Sequence, residues 1–168
     1  MSHLRRCTSD GILTLLLLLP ILLGINSANA GPGPGLRLQE RITPTFGFFV
    51  TGLSGRQFIL NTDSSITGAD TADYLFGAVA GEIRIRKRGG AARGNIVAEN
   101  ISTTGGLSVA AVLCKFQNQP QTICNAPGIN VTLRERRTLL LGLDVTTTQV
   151  HGGGDIASVQ FDISVTLL

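Results

Sequence analysis

Val159, Phe161, Ile163, Val165 and Leu167 alternate with Gln160, Asp162, Ser164 and Thr166 near the end of the chain. Successive side chains of an extended strand point to opposite faces, so this segment predicts a strand with one buried and one wet face. Such a strand must join a sheet, and the sheet's apolar face needs a second layer to cover it. Short β-branched and aromatic runs recur at 46–51, 57–60, 82–87, 95–99, 107–114, 129–133 and 138–150. Glycines at 89–90, 105–106 and 152–154 punctuate them, supplying the positive φ that tight turns need. No ten-residue stretch carries helix-spaced apolar positions with a sensible cap. The chain therefore predicts an all-β fold, an antiparallel β-sandwich of about seven to nine strands. The turn at 152–154 suggests an antiparallel hairpin between the strand over 141–150 and the closing strand. A membrane barrel would carry aromatic girdles, whereas this chain has no Trp and one Tyr.

The first thirty residues read differently. Arg5 and Arg6 form a basic head, an apolar stretch runs from Ile12 to Ile25, and Ala28-Asn29-Ala30 is a small-x-small exit before Gly31. That is the pattern of a cleaved signal peptide, helical while it acts, with cleavage marked by Ala28, Ala30 and Gly31. The apolar stretch is shorter than the roughly 20 residues of a bilayer-spanning helix, and it contains Pro20. The expected organisation is a signal peptide over 1–30, a Gly/Pro-rich leader over 31–35 and one domain over 36–168. The mature form is expected to have no stable transmembrane anchor and to reside in the periplasm, on the cell surface or outside the cell.

Cys7 leaves with the signal, and Cys114 and Cys124 remain. A lone pair in an oxidising compartment predicts a disulfide. The spacing is not that of a redox Cys-x-x-Cys pair, and no histidine lies nearby to complete a zinc site. Of 14 basic and 11 acidic residues, the mature chain keeps 12 and 10, a net charge of +2. That is not the footprint of a nucleic-acid binder.

No catalytic residue, metal ligand or cofactor is assigned. His151 sits in a glycine turn, away from the setting a Ser-His-Asp triad requires. Asp63, Asp70 and Asp73 share a polar stretch without calcium-loop spacing. The candidate anion-binding residues are Arg84, Arg86 and Arg88 on one face of a predicted strand, Lys87 opposite, and Arg93 beyond the turn. The competing reading makes this an edge strand guarded by charge.

The run Asn100-Ile101-Ser102-Thr103-Thr104-Gly105-Gly106-Leu107 leads to Cys114. Cys124, Leu139-Leu140-Leu141-Gly142-Leu143, a turn at 152–155 and the alternating strand follow, with Phe46-Gly47 near the start. Together these resemble the bacterial domain of unknown function 4402 family over most of 37–168. The resemblance implies an exported β-sandwich protein of Gram-negative bacteria, with no assigned activity and no catalytic residues. The closing strand is also similar to subunits of chaperone–usher surface fibres, whose incomplete sandwich accepts a donor strand. In those subunits the cysteines join early strands, whereas here they lie in the second half. A donor from this chain would begin at Leu36, offering Leu36, Leu38 and Ile42.

The function expected from these features is non-enzymatic: a structural or surface-interaction sandwich of the cell envelope, fimbria-like, whose partners are its own copies or other envelope subunits. The alternative is a periplasmic or surface module that binds an anionic glycan or another envelope component. A paired-carboxylate glycosidase is the enzymatic rival, but no carboxylate pair is placed by the sequence.

Overall fold

A computed structural model of the chain describes residues 21–25, 35–50, 52, 54–68, 71–150, 152 and 155–168. Thirteen strands occur among these residues. In chain order they are β1 (Ile21–Ile25), β2 (Leu36–Ile42), β3 (Thr45–Phe49), β4 (Gln57–Leu60), β5 (Ile66–Thr67), β6 (Tyr74–Phe76) and β7 (Gly81–Lys87). They continue as β8 (Ala92–Thr104), β9 (Leu107–Phe116), β10 (Thr122–Ile123), β11 (Ile129–Leu133), β12 (Arg137–Thr147) and β13 (Ala157–Leu167). All eight segments with strand chemistry in the sequence are strands. The additional five are β1, β2 and three pieces of two or three residues, β5, β10 and β6, too short to carry a readable period.

The strands form two sheets packed face to face as a sandwich. Sheet A has the order β11-β8-β13-β1-β3-β6. Sheet B contains β10-β9-β12-β4-β5, with β7 also paired to β12 and β2 paired to β7. All pairings are antiparallel except that of β1 with β13. Alternation sets the core. Val159, Phe161, Ile163 and Val165 of sheet A are buried, as are Leu139, Leu141, Leu143 and Val145 of sheet B. Phe49 of β3 reaches Phe58 of β4 across the sandwich, their ring centroids 4.3 Å apart.

The expected hairpin between the last two long strands does not form. β12 lies in sheet B, its edges taken by β9 on one side and by β7 and β4 on the other. β13 lies in sheet A between β8 and β1. The chain thus passes from one layer to the other between Thr147 and Ala157, and the intervening nine residues are ample to span the ~10 Å between stacked sheets.

Cys114 and Cys124 are joined, with Cα atoms 5.7 Å apart, and both are fully buried. The Cys124 N–H donates to the Val112 carbonyl in sheet B, and its carbonyl accepts from the Ala98 N–H in sheet A. The bridge therefore fixes a segment that closes one side of the sandwich. Gly142 sits where β12 changes partner, from β7 (Leu141 opposite Gly81) to β4 (Leu143 opposite Leu60). A Cβ there would lie 2.1 Å from the Leu60 carbonyl oxygen.

Of the expected signal segment, residues 21–25 are described, and they are extended within sheet A. The cleavage residues Ala28, Ala30 and Gly31, and also Asp70 and His151, lie outside the described residues. Among the described residues no helix is long and apolar enough to cross a membrane.

Two outcomes are expected in thermal melts followed by circular dichroism. Gly142→Ala should cost about 1–3 kcal/mol by forcing overpacking at the seam, lowering the midpoint by about 3–10 °C. Replacing both Cys114 and Cys124 by Ala should cost about 2–3 kcal/mol, the loop-closure term for a loop of this size.

Candidate functional site: a cationic end of sheet B

The concentrated surface charge lies where β7 ends and β2 begins. β7 carries Ile83 and Ile85 into the core and Arg84 and Arg86 on the opposite face. It is not an edge strand: β2 pairs with it over Glu82–Lys87, and β12 covers the other side as far as Ile85. Arg84, paired on both sides, therefore does not guard an exposed edge. Arg86 is directly opposite Arg37 of β2, and both are exposed. Like charges directly opposite each other destabilise a sheet pair.

Beyond β7 the chain turns, and the Arg88 N–H donates to the Gly35 carbonyl at 2.9 Å. This bond draws the start of β2 against the end of β7. Lys87 points away from Arg86, its Nζ donating to the carbonyls of Arg88 and Gly90 at 3.3 and 3.0 Å. Its ammonium is committed to shaping the turn. A cavity of about 200 Å³ at this end is lined by Arg37, Arg86, Lys87, Arg88, Glu135 and Arg136, together with Gly35. An adjoining opening of about 370 Å³ is lined by Arg134, Glu135, Arg136 and Arg137. The Arg137 guanidinium donates to Gln117 Oε1 at 3.0 Å. Among the described residues the one ion pair, Arg56 with Asp73 at 3.6 Å, lies elsewhere.

The sequence-predicted stripe is thus brought together only in part. Arg86, Lys87 and Arg88 meet at the cavity. Arg84 lies on the outer face of β7, opposite Gln39 and Thr138, away from the lining. Arg93 is in β8 of sheet A and lines a separate cavity of about 300 Å³ with Gln119, Asn130, Val131, Thr132 and Leu168. The turn after β7 carries the chain into the other layer, which parts Arg93 from the stripe. Sequence reasoning missed Arg37 and Arg136. The run Arg134-Glu135-Arg136-Arg137 was the available signal for the second; nothing local marks Arg37.

Other polar features are accounted for by the fold. The buried Thr62 donates through both N–H and Oγ1 to Gln121 Oε1 at 2.8 Å, and the buried Thr147 accepts from the Arg56 N–H at 3.0 Å. Asp63 Oδ1 accepts from the Ser65 hydroxyl at 2.6 Å and the Ser65 N–H at 3.0 Å. Those bonds, the hydroxyl's first, hold the Asp63 carboxyl below its ordinary pKa. Asp73 belongs to a 3-10 turn (Thr71–Asp73) and pairs with Arg56. No three metal-ligating side chains gather among the described residues.

Comparison of the chain with family models, with curated proteins and with solved structures returned no match.

Ser65→Ala should raise the Asp63 pKa toward the ordinary carboxylate value, as read from the side-chain carboxyl shift in an NMR titration. The sign follows from linkage. A carboxyl depressed in the folded state contributes stability above its unfolded pKa and loses it as the pH falls through the folded one. The wild type should therefore outlast the variant at neutral pH, and the difference should vanish in strong acid.

Proposed function

We propose that this protein is an exported, non-enzymatic β-sandwich of the bacterial envelope that works by surface interaction, in keeping with its resemblance to the domain of unknown function 4402 family. The observation that carries the reading is that four arginines, with Lys87 and one acidic residue, Glu135, line a single cavity. Arg37, Arg86, Arg88 and Arg136 come from β2, β7, the turn after β7 and the turn before β12. Arginine forks match carboxylate, sulfate and phosphate groups in bidentate fashion. Arg37 and Arg86 face each other across the strand pair, and a bound anion would relieve the repulsion between like charges. A polyanionic envelope component such as an acidic glycan or lipopolysaccharide supplies repeated groups of that kind, and the adjoining Arg134–Arg137 turn extends the surface over more than one of them.

The test is a triple variant, Arg86→Ser, Arg88→Ser and Arg136→Ser, compared with Arg93→Ser alone. Each cation near an anionic surface contributes about 1 kcal/mol. The triple variant should bind lipopolysaccharide-containing vesicles about 100-fold more weakly and leave heparin at lower salt. Arg93→Ser should behave as wild type. Equal retention of the triple variant and the wild type would remove the anion-binding reading.

A further inference from the structure

The two spaces at the arginine end share a wall. Glu135 and Arg136 line both the cavity of about 200 Å³ and the adjoining opening of about 370 Å³. The remaining walls differ. Arg37, Arg86, Lys87 and Arg88 line the cavity, together with the bare backbone of Gly35. Arg134 and Arg137 line the opening. Among the described residues the cavity sets five cationic side chains against one carboxylate, and no apolar side chain lines either space.

Size and charge limit what the cavity can hold. A water molecule takes up about 30 Å³ in the liquid. A space of about 200 Å³ therefore admits one tetrahedral oxyanion and the first atoms attached to it, and not a run of such groups. A carboxylate or a sulfate ester brings one negative charge. A phosphate monoester brings close to two at neutral pH, on three strong acceptor oxygens. Arg37 and Arg86 stand directly opposite each other across the strand pair, and an anion relieves their repulsion in proportion to its charge. The excess of cations thus favours the dianion over either monoanion.

The shared wall defines the rest of the ligand. Glu135 is exposed, and an ionised carboxylate only accepts hydrogen bonds. Beside a phosphoryl oxygen it repels, whereas beside a hydroxyl it accepts. It therefore favours a ligand whose anionic group lies among the arginines and whose remaining atoms, in the adjoining opening, carry hydroxyls. In that opening the Arg137 guanidinium already donates to Gln117 Oε1, which weakens its pull on a second anion.

We infer that the arginine end is a site for a phosphate monoester on a hydroxylated carbon body, a sugar or polyol phosphate. The phosphoryl group occupies the cavity bounded by Arg37, Arg86, Arg88 and Arg136, and a hydroxyl of the body donates to Glu135. The inference rests on the anion-binding reading above and names the class of anion. The chemistry is the same for a free sugar phosphate and for the phosphorylated sugar headgroup of a lipid.

The test is calorimetric titration of the full 168-residue chain with glucose 6-phosphate, glucose 6-sulfate, glucuronate and methyl phosphate. At about pH 7.5 glucose 6-phosphate should bind about five- to ten-fold more tightly than the sulfate or glucuronate, the effect of one further charge. That advantage should disappear by about pH 5. The second proton of a phosphate monoester has a pKa of about 6, and surrounding cations lower it in the complex. Affinity is therefore full above the free value and is lost as the pH falls below it. The groups facing the phosphoryl group are Arg37 of β2, Arg86 and Lys87 of β7, Arg88, Glu135 and Arg136. Titration of any of them would move the sulfate curve as well, so the difference between the curves belongs to the ligand. Glucose 6-phosphate should exceed methyl phosphate about five-fold, and Glu135→Ala should bring that ratio close to one. Phosphatidylcholine vesicles with and without lipid A distinguish the sources. Binding to lipid A that glucose 6-phosphate displaces assigns the phosphate to a lipid headgroup; binding of the soluble sugar phosphate alone assigns it to a free one. No binding of glucose 6-phosphate, or equal and pH-independent affinity for phosphate, sulfate and glucuronate, would overturn the assignment. If the triple arginine variant still lost vesicle binding, the anion-binding reading would survive that result. Methyl phosphate binding as tightly as glucose 6-phosphate would overturn the hydroxylated body.

Discussion

The fold depends on one strand that is hydrogen-bonded along both edges. β12 pairs with β9 from Leu139 to Thr147 on one side, and with β7 and then β4 on the other. Most polar backbone groups along such a strand have a sheet partner, which is the condition for placing it deep in the molecule. Its inward side chains Leu139, Leu141, Leu143 and Val145 are fully buried and form the floor on which sheet A lies. The double partnership on one edge requires two strand ends to meet, and the side-chain-free Gly142 lets the Leu60 carbonyl approach at that meeting point. Placement of β7 and β2, and therefore of the arginine end, follows from the pairing of β7 with Arg137–Leu141.

What could be read in the sequence was what depends on neighbours one or two residues apart. The period of two over 158–168 located β13 and its buried face, and Gln57–Leu60 and Ile129–Leu133 match the expected bounds residue for residue. Layer assignment was not legible. A strand with one apolar face satisfies its pattern equally well in either sheet of a sandwich, so a glycine-rich link looks the same whether it reverses the chain or carries it across. The hairpin expected over 141–168 failed for this reason. The same ambiguity separated Arg93 from Arg86: β7 is in sheet B and β8 in sheet A, with residues 88–91 between them. The cationic end was half legible. Arg86, Lys87 and Arg88 are contiguous, but Arg37 joins them through the β2–β7 register and Arg136 through the turn that leads into β12.

β1 shows a deeper limit of pattern reading. A short run of aliphatic residues suits a signal peptide's apolar region, a buried helix or a strand inside a sheet, and periodicity alone does not separate them. Within this chain the physical demand is shared: each setting asks for a segment that loses contact with water. The two uses exclude one another in time. A segment lying in the membrane as a helix cannot occupy the gap between β13 and β3, and one in the gap has no free backbone to offer the membrane. None of the pairings of β12 passes through β1, so sheet B, with its central strand, its disulfide and its arginine end, is held together independently of that segment.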